Sequence, residues 1–330
     1  MKNLVIIGKV FPEPNSTAAG SRMIQLTDLF LTQNYQITFL STATISENSF
    51  DLSSKNISFQ NIVLNDSSFD ELIKNLNPDI VVFDRFNTEE QFGWRVSEQV
   101  PNAVKILDTE DLHFLRTARE KAFKQNRNLE HSDLINDVFK REMASILRCD
   151  LSLIISEFEM NLLIEKFKID ENILFYLPLF GEVKKPETSF SERKNFISIG
   201  NFLHEPNWQT VLQLKKLWKD IKKQLPEAEI HIYGAYASEK VFQLHNEKEG
   251  FIIKGRAENV ESVFSQAKVL LAPIPFGAGI KGKLLESMQF GLPNVTSAVG
   301  AEAMHGNLDW NGFITDNETE FVEKAVLLYQ

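Results

Sequence analysis

The chain reads as an α/β protein of two tandem domains, each with a parallel, doubly wound sheet. Three observations predict this. Short, branched apolar runs alternate with amphipathic stretches along most of the 330 residues, and such strand–helix alternation builds parallel sheets. The alternation stops over 181–194, where Gly181, Pro186, charged pairs and several serines replace any apolar period. Such a stretch is a linker signal. The alternation then restarts at Phe196. The expected organisation is a first domain over 1–180, a linker over 181–194 and a second domain over 195–330. Each domain opens on a strand and a ligand-facing loop, and a ligand cleft is expected between them.

In the first domain, 4–7 is the first strand. A long loop follows, with Pro12, Pro14, Ala18, Ala19 and Gly20, before a helix starting near Ser21. Ligands of open α/β sheets bind at the carboxyl ends of strands, so Gly20 is expected to let a ligand approach and Arg22 to meet an anion. Strands are predicted at 36–41, 57–64, 79–83, 104–107, 151–155 and 173–177. Helices are predicted at 68–76, 89–99, 129–148 and 157–167. In the second domain, strands are predicted at 196–200, 229–233, 250–254, 269–274 and 294–297. Helices are predicted at 208–224, 259–266, 283–290 and 320–329. Trp208 and Trp218 share a helical face and read as core.

Composition bounds the function. A hydrophobic share of 43% and a charged share of 24% suit a soluble globular protein whose core needs no staple. Cys149 is the single cysteine, so the chain has no internal disulfide framework and no cysteine-based metal site; an inert, packed thiol is expected. The net charge of −10 argues against nucleic-acid partners, which need basic patches. It allows peripheral membrane contact at most. The first apolar run is too short for a signal peptide, and no run approaches a membrane span. A cytoplasmic location is expected.

The stretch that carries chemistry is 273–293. Gly277, Gly279 and Gly282 follow an apolar strand and precede a helix that Gly291 and Pro293 stop. Strand, glycine loop and helix N-terminus together aim backbone N–H groups and a positive dipole end at an anion. Lys283 sits in the first helical turn, where a cation opposes the dipole at a cost of a few tenths to about 1 kcal/mol. A bound phosphate reverses that sign. Glu286 is three residues on, on the same face, placed for neighbouring hydroxyls. Read literally, Gly277-Ala278-Gly279-Ile280-Lys281-Gly282 matches the GxGxxG dinucleotide pattern, but too little chain follows for a second mononucleotide half. The Walker pattern fails because Leu284 follows Lys283.

The run Phe276 to Glu286, then Gly291-Leu292-Pro293 and Val299-Gly300-Ala301-Glu302, resembles the donor-site motif of retaining GT-B glycosyltransferases of the family 4 type (glycosyl transferases group 1). Supporting matches are Pro12 to Asn15 with Ala19 to Arg22, Asp108 to His113 with Arg116, Gly200 to Phe202 with His204, Pro206 and Asn207, and Gly255-Arg256. The resemblance implies two tandem Rossmann-like domains. It implies a nucleotide-sugar donor, a glycan or lipid-linked acceptor, no metal and a role in polysaccharide biosynthesis. It places Lys283 at the departing diphosphate, with Lys281 sharing the charge, and the backbone of Gly277, Ala278, Gly279 and Ile280 at the sugar or phosphate. Glu286 falls at the ribose, Gly255 and Arg256 near the base, Gly20 and its loop opposite the diphosphate, and His113 at the transferred sugar.

Three departures qualify it. Ala278 stands where many members carry a sugar-contacting glutamate. Asn201 and Pro206 stand where an arginine and a lysine are common. The chain ends at Gln330, where the family usually continues through a further helix. Two alternatives stay open at this point: a GT-B-like protein that binds a sugar nucleotide or glycan without transfer, and a sugar-nucleotide epimerase of the same architecture.

Overall fold

The computed structural model describes residues 2–185 and 188–330. It divides into two compact units, Met1–Phe180 and Gly181–Gln330. The predicted linker is not a free connector. Lys184 N donates to the Gln289 carbonyl, Arg193 is buried, and 190–192 form a turn of 3-10 helix, all within the second unit. Pro186, named in the linker signal, lies outside the described residues.

The first unit carries seven parallel strands: β1 (Lys2–Gly8), β2 (Tyr35–Ser41), β3 (Ser58–Asn61), β4 (Ile80–Asp84), β5 (Val104–Asp108), β6 (Leu151–Ile154) and β7 (Leu174–Tyr176). Their order across the sheet is β3-β2-β1-β4-β5-β6-β7. The second unit carries six: β8 (Lys194–Ile199), β9 (Ile230–Tyr233), β10 (Phe251–Gly255), β11 (Ala267–Ala272), β12 (Asn294–Thr296) and β13 (Gly312–Ile314), ordered β10-β9-β8-β11-β12-β13. The chain thus reverses direction across each sheet at one point, between β1 and β4 and between β8 and β11. Open parallel sheets take ligands in the crevice at such switch points.

Alternate residues along a strand serve opposite faces, and the second unit uses both. Phe196, Val269 and Leu271 pack with Trp218, Ile221 and Phe321, whereas Ile197, Leu270 and Ala272 pack with Leu284 and Phe290. Leu284 is fully buried, so it pins the helix Gly282–Gln289 onto the sheet one residue after Lys283.

Several predicted elements needed correction, among them two helices of the first unit. The helix predicted over 129–148 is two helices, His131–Leu134 and Asp137–Arg148. Asn136 separates them. Its side chain accepts from Phe139 N, capping the second helix, and donates to the carbonyls of Phe114 and Asp133. The helix predicted from Ser21 starts at Ala18, capped by Thr17, whose hydroxyl accepts from Gly20 N. Cys149 is buried, and burial pushes its thiol pKa up, as an inert core thiol requires. Among the described residues no helix is long and apolar enough to cross a membrane.

Candidate functional site in the second unit and its first-unit counterparts

The glycine loop begins where β11 ends. Thr296 Oγ1 donates to the Ala272 carbonyl and Ser297 Oγ to the Ile274 carbonyl, so the strand end is bolted to β12. Gly279 adopts φ +62°, a left-handed conformation that glycine enters without steric cost. The chain then enters the helix Gly282–Gln289, whose first turn no side chain caps.

Lys283 is held over that turn by a neighbour that sequence reasoning had not assigned to it. Its Nζ donates to Asn207 Oδ1 at 2.8 Å, and Asn207 Nδ2 in turn donates to the Asn201 carbonyl. Asn207 is the third residue of the helix Glu205–Gln224, whose N-terminus also lacks a side-chain cap. One lysine therefore joins the first turns of two helices, and both dipoles present their positive ends there. Gly200 is required nearby, because a Cβ would come within 2.6 Å of the Asn207 side chain. A shallow recess lined by Ser198, Gly200, Phe202, Asn207, Tyr233 and Lys283 adjoins the pair.

No carboxylate neutralises this lysine by direct contact among the described residues. Burial lowers its pKa from 10.5 to about 8, opposed by the charge of Glu286. Burial likewise raises Glu286 to about 7, against Lys283 and Lys184. A cation with a neutral partner at two helix starts has the chemistry that suits an anion.

The other predicted residues divide. Lys281 turns onto its own loop, its Nζ donating to the Gly279 carbonyl at 2.7 Å, so the expected sharing of phosphate charge is replaced by loop bracing. Gly277, Ala278 and Ile280 line the same loop, with Ala278 buried. Gly255 adopts φ +70° at the end of β10 and accepts from Gly234 N, while Arg256 beside it is exposed.

In the first unit Arg22 is not an anion receptor. Its guanidinium is buried against Asp108, with Nε 2.9 Å from Oδ1, and Nη1 donates to the Leu177 carbonyl. The reason is topological: the helix Ala18–Thr32 packs on the sheet and brings Arg22 onto the end of β5. Gly20 also has an internal role, since a Cβ would meet the Glu13 backbone at 2.4 Å. The loop packs where a ligand was expected.

His113 opens the helix His113–Lys124, which is not among the helices that the sequence predicts. Its Nδ1 lies 3.0 Å from the Asp111 carbonyl and its ring packs edge-on to Phe86. A carbonyl only accepts, so Nδ1 carries a proton; Asp111 Oδ1 and Glu142 Oε1 lie 3.3 and 3.4 Å from the same nitrogen. The helix start is capped from elsewhere in the unit: Glu142 accepts from the backbone of His113 and Phe114, and Glu159 from Leu112. Sequence reasoning also missed a charged group around Lys9, Asp84, Arg85 and Glu110. Its one sequence signal is Asp84-Arg85 directly after an apolar strand.

Residues 193–330 match the family described as Glycosyl transferases group 1. No curated protein matches the chain in sequence. Among solved structures, TarM superposes with a TM-score of 0.74 at 10% identity, covering 100% of this chain and 92% of that one. Alr3699/HepE of Anabaena, solved in complex with UDP, gives 0.71 at 12% identity, covering 100% and 91%. Sucrose-phosphate synthase from Thermosynechococcus elongatus gives 0.67 at 14% identity, covering 91% and 82%. At such identities these likenesses establish the fold. The chain therefore has the GT-B fold, and its second unit matches the glycosyl transferases group 1 family, a match that supports an enzyme of the glycosyltransferase class.

Proposed function

We propose that the protein moves a sugar from a nucleotide-sugar donor to a glycan or lipid-linked acceptor, with retention of configuration and without a metal, in cytoplasmic polysaccharide biosynthesis. The second unit holds the donor and the first unit serves the acceptor. The observation that carries the reading is Lys283, half-buried, hydrogen-bonded to Asn207 without a direct carboxylate partner among the described residues, and placed at two helix starts. The complex of HepE with UDP supports a nucleotide at this fold's donor side.

In the reaction the anomeric C–O bond to the diphosphate breaks, and a new C–O bond to the acceptor hydroxyl forms on the same face. The hydroxyl proton goes to the departing phosphate. Charge grows on that phosphate as the bond breaks. The charged Lys283 and the N–H groups at the start of the helix Gly282–Gln289 stabilise it electrostatically in a site that needs no reorganisation. Glu286 accepts from the ribose hydroxyls. His113 is the first unit's candidate for contact with the transferred sugar.

A second reading, donor or glycan binding without transfer, is favoured by Ala278, which offers no side-chain acceptor to the sugar. The test that separates the two starts with a thermal-shift screen against UDP-, GDP-, ADP- and CMP-sugars. A donor at 100 times its Kd adds about 2.7 kcal/mol of apparent stability. Turnover of the donor so found, absent in Lys283→Ala, supports transfer. Binding with no turnover leaves the second reading, and no shift with any donor defeats both.

A further inference from the structure

The charges at the carboxyl end of the first unit's sheet cancel, but its hydrogen bonds do not. Lys9 follows β1, Asp84 closes β4 with Arg85 next, and Asp108 closes β5 with Glu110 two residues on. Asp84 and Asp108 stand side by side in register. Since β1 and β4 flank the switch point of this sheet, these side chains stand where open α/β sheets take ligands. The cations there are Lys9, Arg22, Arg85 and Arg116, and the carboxylates of Asp84, Asp108, Glu110 and Asp111 match them one for one. Arg22 pairs directly with Asp108, Arg85 with Asp84 and Arg116 with Asp111. Lys9 is exposed to solvent. The set asks no charge of a ligand.

Acceptors, however, are left over. Oδ1 of Asp84, Oδ1 of Asn87 and Oε1 of Glu110 are buried with no hydrogen-bond partner among the described residues. Asn87 is the second residue of the helix Phe86–Gln99, which follows β4. Asp84 is 4% exposed, whereas Asn87 and Glu110 are half-buried, so the group borders the surface. Buried acceptors without donors are rare in folded proteins, because each forfeits its hydration. Among the described residues no side chain of the second unit leaves a buried polar atom in this state. Arg85 and Glu110 also hold φ of +70° and +61°, a costly backbone state for long side chains.

The remainder defines its complement: several hydrogen-bond donors that carry no charge, which is what a run of hydroxyls supplies. We propose that this crevice binds a neutral sugar unit of the acceptor, its hydroxyls donating to Asp84, Asn87 and Glu110. A cationic ligand would also bring donors, but it would meet Arg85, which lies against Asp84. An acidic ligand would bring a charge that the balanced set does not compensate, and more acceptors where donors are missing. The inference deepens the proposed transfer and rests on the first unit being the acceptor side.

The test is ligand-observed NMR titration of the full chain without nucleotide, using glucose and galactose as probes and glucuronate, galacturonate, glucosamine and galactosamine as their charged counterparts. At least one neutral sugar is expected to bind, about tenfold more tightly than its charged counterparts, because a charge moved into the site finds no compensation. Asn87→Ala is expected to weaken that sugar by about tenfold, the loss of one hydrogen bond. It should do so without lowering Tm, since alanine suits a helix and the unpartnered oxygen is gone. A merely structural Asn87 would lower Tm and leave binding unchanged. Glu110→Ala is expected to weaken the sugar likewise, and Asn87→Ala decides if that variant does not fold. A charged counterpart that binds as tightly overturns the proposal, as does neutral-sugar binding that survives Asn87→Ala. Binding by none of the probes also overturns it and leaves the three oxygens to buried water. A chain that binds a neutral sugar here but no nucleotide sugar defeats the transfer reading and leaves this site standing. One that turns over a donor while binding none of the probes defeats this site alone.

Discussion

Replacing Lys283 with methionine should stabilise the protein while ending transfer. The lysine is buried with a neutral partner, and its pKa falls from 10.5 to about 8. At about 1.4 kcal/mol per pH unit, the folded state carries a penalty of about 3 kcal/mol at neutral pH. Part of that is screened, since the residue keeps some solvent contact. Methionine has nearly the same length and no charge to desolvate. It also leaves Asn207 Oδ1 without its donor, which costs about 1 kcal/mol. The net expectation is a gain of about 1–2 kcal/mol. For a unit of this size that corresponds to a Tm rise of about 2–8 °C. Thermal and urea unfolding at pH 7 measure it. The sign has a further check. The unfolded lysine binds more protons than the folded one between pH 8 and 10.5, so wild-type stability rises over that window and the advantage of Lys283→Met closes. Should Lys283→Met unfold earlier than wild type at pH 7, the lysine would be a net stabiliser rather than a charge held for a ligand.

Three further outcomes follow from the same structure. Glu286 has its pKa raised to about 7, so the folded state binds the extra proton; wild-type stability should fall by about 2–3 kcal/mol as pH rises from 4.5 to 7, and Glu286→Gln should flatten that slope in urea titrations. Asn136→Ala removes a helix cap and two bonds to buried carbonyls, and should cost about 1–3 kcal/mol by chemical denaturation. Asp108→Ala strands the buried guanidinium of Arg22 and should cost about 3–5 kcal/mol; donor affinity measured on the surviving folded fraction should not change, because the pair lies in the first unit.

The sheets were legible because parallel strands buried on both faces read as continuous branched runs, as in Val5-Ile6-Ile7 and Val269-Leu270-Leu271. The helix Gly282–Gln289 was legible because a glycine loop precedes it and Gly291 and Pro293 stop it. What sequence could not supply was the partner of each charge. Arg22 looked free for an anion, yet folding delivers it to Asp108, 86 positions away. Lys283 looked alone, yet Asn207 is waiting for it 76 positions upstream. The start of the helix His113–Lys124 was hidden for the same reason. Its caps come from Glu142 and Glu159, so no local capping signal marks it. Left-handed φ at Arg85 and Glu110 has no signature either, since neither residue type favours it.

Once internal ion pairs are removed, the groups left over are those whose cost folding does not explain. In the second unit the remainder is Lys283 at two positive helix ends, the charge for which a diphosphate is proposed. Arg22 and Asp108 show the opposite case, because a pair that closes on itself is architecture. Sugar transfer requires such a division. The donor's leaving group needs positive charge that strengthens as its bond breaks, whereas an acceptor hydroxyl needs only to be oriented. A cation held by a neutral partner, as Lys283 is by Asn207, suits the first of these tasks.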